Sequence, residues 1–362
     1  MAILTLQGND GSQYKETLFV EHVDSEKAVW EGFRAGSEGS KQLLRIDDCR
    51  PLNEFSEFIQ SIRNREVYCD TLIEKFHPSF FSLISSVLSS TKTKSIQLTI
   101  EKLRSIKSEP EVNLLRRSSK IISTAMLNTM KVTEPGISEN VISSNIHHNC
   151  VMQGAKKLAY PSVVAGGVRG NTLHYINNDH ILDDGETVLV DAGCDFSGYS
   201  SDLTRTWPVN GRFSHAQKVI YEMILDINKS CIASCSPEVS LNDLLAFMWH
   251  ELGLHLKSLG IDMPDSREGL IKAASKYCVH HVGHHLGIDV HDCPNLSRYD
   301  RLAPGNVITI EPGVYLNFPD VPKEFRGLAV RIEDDVLVTE TGCEVLTNCP
   351  KEISELENIC NK

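Results

Sequence analysis

The feature that most restricts how this chain can fold is a set of acidic residues at the ends of apolar, β-branched runs. Asp191 closes "TVLVDAG", Asp202 opens "DLTRTW", Glu311 follows the last isoleucine of "VITIEPG", and Glu333 sits within "LAVRIEDDVLVT". Runs of this composition read as strands, and strands so apolar belong in an interior. A carboxylate carried inside with them has to be compensated, because burying an unpaired charge is prohibitively costly.

The spacing suggests how compensation is arranged. A hairpin turning around "DFSGYSS", with Gly198 at the bend, brings Asp191 and Asp202 side by side on adjacent strands. Two like charges at that distance drive one pKa up unless a cation lies between them. Glu311 repeats the theme where Pro312 and Gly313 end a strand. In the run containing Glu333, period-2 alternation puts Leu328, Val330 and Ile332 on one face and Arg331 with Glu333 on the other. The stretch "HHVGHHLGIDVHD", residues 280–292, adds five histidines interleaved with Val282, Leu286, Ile288 and Val290. Oxygen-rich ligation with one imidazole favours Mn, Mg, Co or Zn over softer metals. Singly, each acid also reads as a turn residue, a helix cap or a solvated edge. Only their joint occurrence with the histidines points to a divalent-metal site. Spacing alone does not separate His284 from His285, and His174 in "TLHY" reads as an ordinary turn histidine.

At 362 residues with 41% apolar content, the chain has material for about two domains. A net charge of −12 without any Lys/Arg block argues against a nucleic-acid partner. No apolar run approaches the ~20 residues of a membrane span, and "MAILTLQGNDGSQ" carries neither a signal h-region nor an Arg-rich presequence. The 11 cysteines are odd in number and form no CxxC pair, which reads as free thiols in a reducing, intracellular compartment. Cys231 and Cys235, one helical turn apart, read as half-buried small side chains. The first ~100 residues mix strand-like "TLFV" with helix-like "LNEFSEFIQSIRN" and hold no concentrated chemistry. A domain boundary near residue 105 divides the chain into 1–105 and 106–362. Beyond it, Ser108, Glu109, Pro110 and Glu111 predict a helix start. Further helices are expected at about 137–153, 214–232 and 240–259, the last capped by Ser240 and stopped by Gly260. The fold class is α+β.

Taken together and in order, "VLVDAG", "SDLTRTWPVNGRF", "HHVGHHLGIDVHD", "VITIEPGVY" and "FRGLAVRIEDDVLVT" resemble the five metal-site segments of the aminopeptidase P family, whose catalytic domains have the pita-bread fold. "AYPSVVAGGVRGNTLHY" and "CPKE" place the resemblance nearest the Xaa-Pro aminopeptidase 3, mitochondrial-type branch. It spans nearly the whole chain from about residue 14. It implies an α/β N-terminal domain, shortened at its start, before a pita-bread catalytic domain. The metal ligands it implies are Asp191, Asp202, His284, Glu311 and Glu333, holding two divalent ions, usually manganese, bridged by Asp202 and Glu333. It places His174, His280 and His291 around the substrate and Tyr315 and Arg331 in support, and leaves His281 and His285 incidental.

The activity implied is release of the N-terminal residue from peptides or proteins with proline second, by attack of a metal-activated hydroxide with Glu311 moving the proton. A prolidase restricted to Xaa-Pro dipeptides, a methionine aminopeptidase and a non-catalytic protein on the same fold are the other readings. The resemblance implies a mitochondrial location, whereas the visible start of the chain implies a cytoplasmic one. A homodimer, and neither nucleic acid nor membrane as partner, complete the expectation.

Overall fold

The computed structural model describes residues 2–7, 13–21, 25–62, 66–69 and 93–361, with positions 78, 81, 82 and 85 between them. Two compact units, residues 1–97 and 98–362, emerge from its internal packing. The first carries a sheet in which Gln13–Val20 runs antiparallel to Ala2–Gln7 and parallel to Asp48–Pro51. Phe19 anchors its core, with edge-to-face contacts to Phe55 and Phe58. The end of "LNEFSEFIQSIRN", Arg63 and Asn64, lies outside the described residues.

The division falls after Gln97, the first residue of the Gln97–Ser105 helix. Glu109–Val132 follows, its start closed by Ser108 and Glu111 in a capping box with Pro110 in the first turn. Its buried positions, among them Val112, Leu115, Ile122, Met126 and Met130, recur every three to four residues and form one face. Full burial of each such side chain contributes about 1.5–3 kcal/mol. Two serines on that face reach the sheets. Ser118 donates to the Cys194 carbonyl at 2.8 Å and Ser119 to Asp335 at 2.7 Å. The three further helices expected from the sequence run Glu139–Met152, His215–Ser234 and Leu241–Ser258, capped by Ser138, Ser214 and Ser240, and two shorter ones run Arg267–Ala274 and Ile353–Cys360. Cys231 and Cys235 are fully buried, not half-buried, because both face the main core cluster. All eleven cysteines are free thiols.

Small antiparallel sheets position the acids. Thr187–Ala192 lies between Val163–Gly166 and Leu203–Pro208, with Asp191 opposite Val163 on one side and Thr204 on the other. The hairpin tip pairs Cys194–Phe196 with Tyr199–Ser200, and Ser197 and Gly198 both adopt positive φ in the turn. Val307–Ile310 pairs with Asp334–Val338, and Gly313–Tyr315 with Ala329–Arg331. The run read from sequence as one strand over 328–339 is therefore two. Between them Ile332 donates to the Pro312 carbonyl and Glu333 to the Thr204 carbonyl, outside both ladders. Arg331 at the end of one strand and Glu333 in the bend both reach Thr204 Oγ1.

Candidate metal centre

Burial and hydrogen bonding fix each acid separately. Asp191 accepts from Tyr160 Oη and from Arg331 Nη2, each at 2.6 Å. Asp202 shares the Tyr160 hydroxyl through a very short contact, and its backbone N–H is held by Asp335 at 3.2 Å. Glu333, only 1% exposed, accepts from Thr204 Oγ1 at 2.6 Å through one oxygen. Its other oxygen is buried with no hydrogen-bond partner among the described residues. Glu311 accepts from Thr309 Oγ1 at 3.3 Å.

His284 completes the cluster. Its Nδ1 lies 3.0 Å from the His285 carbonyl, which fixes that nitrogen as the donor and leaves the lone pair on Nε2. Nε2 points at Asp202 Oδ2 and Glu311 Oε1, both 3.6 Å away. A lone pair facing two carboxylates is repulsive unless a positive charge intervenes. Without a cation a proton takes that place. Although burial opposes it, the hydrogen bond to Asp202 and the charges of Glu311 and Asp202 lift the imidazole to about 9. Burial, reinforced by the neighbouring acids, pushes Glu333 well above the usual carboxylate range and Glu311 up to about 7. Asp191 also rises, with burial outweighing the Arg331 charge. Asp202, His284 and Glu333 offer ligand atoms all within 4.8 Å of one another. An excess of buried carboxyl groups, an orphaned carboxylate oxygen and an oriented imidazole lone pair fit a hard or borderline divalent cation.

Sequence profiles show which relatives share this arrangement. The profile of metallopeptidase family M24 matches residues 113–340, and that of the aminopeptidase P N-terminal domain matches residues 1–68. The chain belongs to metallopeptidase family M24. It is 42% identical to rat Xaa-Pro aminopeptidase 3 over all of this chain and 74% of that protein. It is also 36% identical to Arabidopsis thaliana "Intermediate cleaving peptidase 55, mitochondrial", over 95% of this chain and 69% of the other. Proline aminopeptidase P II from Yersinia pestis matches the structure with a TM-score of 0.92 at 32% identity, covering 99% of this chain and 86% of that one. The architecture is thus the aminopeptidase P fold, an N-terminal domain with a pita-bread domain.

In this M24 chain, a network backs the acids. Arg331 spans Asp191, Thr204 Oγ1 at 3.1 Å and Tyr315 Oη at 2.7 Å. Tyr315 lies 2.9 Å from His280 Nε2. His280 Nδ1 is 2.9 Å from the His281 carbonyl, so the ring donates there and accepts from Tyr315. Burial and the Arg331 charge push it down to about 3, and it stays neutral. The exposed His291 ring stands edge-to-face on His284 at 4.4 Å between centroids. His174 is exposed on the segment after the Gly167–Asn171 turn. His281 and His285 are both lowered to about 4, chiefly by burial.

Several participants escape a reading of the sequence. Tyr160 stands in "AYPSVVAGG", where nothing distinguishes it from a packing tyrosine. Thr204 joins Arg331 to Glu333 through one hydroxyl. Asn228, fully buried, donates to the carbonyls of Ile310 and Ile332 at 3.3 and 3.2 Å. It thereby ties together the residues immediately before Glu311 and Glu333. Arg205, also fully buried, pairs with Asp334 at 2.7 Å and donates to the Glu333 carbonyl.

Proposed function

We propose that this chain is a metal-dependent aminopeptidase that releases the N-terminal residue from peptides with proline in the second position. Two divalent cations, manganese by choice, would be held by Asp191, Asp202, His284, Glu311 and Glu333. The observation that carries this reading is the buried Glu333 oxygen, without a hydrogen-bond partner among the described residues, in a cluster with Asp202 and the His284 lone pair. Cations bound there supply Lewis acidity, lowering the pKa of a water molecule and polarising the scissile carbonyl.

The chain's own groups do the rest. Glu311 has one oxygen toward Thr309 and His284 and the other, Oε2, 3.6 Å from His280. Oε2 is the atom we assign to accept a proton and pass it to the prolyl nitrogen as the bond breaks. His291, exposed beside His284, is assigned to donate to the peptide and to the developing oxyanion, with His174 as a second donor. His280 works one step back, keeping Tyr315 and Arg331 against Asp191. Likeness to Xaa-Pro aminopeptidase 3 and to a peptidase named as mitochondrial supports the substrate class and a mitochondrial location.

Metal analysis of the purified chain, paired with hydrolysis of Xaa-Pro-Yaa peptides and Xaa-Pro dipeptides, tests the assignment. Expected are about two divalent ions per chain and release of the first residue from the longer peptides. Cleavage of dipeptides alone would make the chain a prolidase. Full activity after complete removal of metal would sink the metallopeptidase reading.

A further inference from the structure

We propose that Arg104 and Lys107 are positioning residues for His291, acting through Asp292 to clamp the 285–292 loop so that the imidazole stays against His284. The proposal rests on the peptidase reading for the role of His291, but its structural basis is separate.

Strands hold the first half of the loop, where Leu286 N–H donates to the Val307 carbonyl at 2.9 Å and Ser200 N–H to the Gly287 carbonyl at 2.8 Å. Its stem is the His285–Asp292 bridge, closed by Asp292 N–H donating to the His285 carbonyl at 2.9 Å. Among the described residues no hydrogen bond holds the His291 ring, so its aim depends on the backbone beside it. The neighbouring Asp292 side chain, 1% exposed, is therefore the handle by which the ring can be fixed. Arg104 Nη2 lies 2.5 Å from Asp292 Oδ1 and 2.6 Å from Asp289 Oδ2, gripping the stem and the tip of the loop together. Lys107, whose side chain is also 1% exposed, brings Nζ to 3.6 Å from Asp292 Oδ2.

Space around that oxygen is as restricted as its charge. A Cβ placed on Gly287 would lie 2.3 Å from Asp292 Oδ2 and 3.1 Å from the Lys107 side chain, so only glycine lets the carboxylate seat. From the same helix as Arg104, Glu101 accepts from the Asn295 backbone and side chain at 2.9 and 2.6 Å. Lys107 faces Asp292 alone, whereas Arg104 joins Asp292 to Asp289 at the loop tip, and that link is what orients the loop. The strands thus hold residues 285–287, and segment 101–107 holds the half of the loop that carries His291.

The test is R104M, because Lys107 still neutralises Asp292 and the chain keeps its fold. On an Xaa-Pro-Yaa peptide we expect kcat to fall at least tenfold with metal content and Tm close to wild type, and R104K to recover part of the loss. In an H291A background the same R104M change should cost little more, because residues acting through one group are non-additive. Wild-type kcat in R104M, or an equal fold-loss with and without His291, would overturn the clamp while leaving the peptidase reading standing. A wild-type chain inactive on such peptides with metal bound would overturn both.

Discussion

Replacing Glu333 by glutamine should reverse its effect on stability according to whether metal is present. In the metal-free chain Glu333 is buried beside Asp202, Glu311 and Asp191, and one oxygen has no hydrogen-bond partner among the described residues. Its raised pKa means that the folded state retains a proton that the unfolded chain has released. For an acid shifted upward, stability is unaffected below the ordinary carboxylate pKa and falls as pH rises between the unfolded and folded values. Within that window the loss is about 1.4 kcal/mol per pH unit. Glutamine cannot ionise, and its amide oxygen can still accept from Thr204. In chelator, E333Q should therefore melt above wild type at pH 7, by about 2–4 °C for each kcal/mol recovered, with the gap closing toward pH 4.5. With manganese at a hundred times its dissociation constant the wild type gains about 2.7 kcal/mol by binding, and the variant gains far less. Melting curves with chelator and with manganese, at two pH values, provide the measurement. An E333Q chain less stable than wild type in chelator at pH 7, or stabilised equally by manganese, would refute the reasoning.

Two further outcomes follow from the supporting network. Y160F removes the hydroxyl shared by Asp191 and Asp202 and should weaken metal affinity by about 10–100-fold, as read by competition with a chelating dye; unchanged affinity would make Tyr160 a packing residue. N228L leaves the Ile310 and Ile332 carbonyls unsatisfied at about 1–3 kcal/mol each, so Tm should drop and metal retention with it, whereas a wild-type melting curve would remove Asn228 from the support of the two glutamates.

What could be read from the residues, and what could not, divides along physical lines. The hairpin was legible because turn residues and alternating apolar runs are local signals, and the serine-capped helices for the same reason. The acids were legible as a group because buried charge in apolar strands demands an explanation. Their individual assignment to metal came from the family resemblance and stands as a proposal. The break between Arg331 and Asp334 was hidden because residues on both sides are buried and no glycine or proline punctuates the bend. Tyr160, Thr204 and Asn228 were hidden because each matters through contacts made far along the chain. A hydroxyl or amide carries no sign in the sequence of what it will meet.

Those long separations also order events during synthesis. Arg331 and Asp191 meet across 140 positions, and Glu333 follows Arg331 by one strand bend. A growing chain still lacking its final sheets would expose bare acids and could form only a fragment of the cage. On the proposed ligand set, a complete cage would exist only once residues through Glu333 had been made and folded together, so a filled cage would report a chain folded that far.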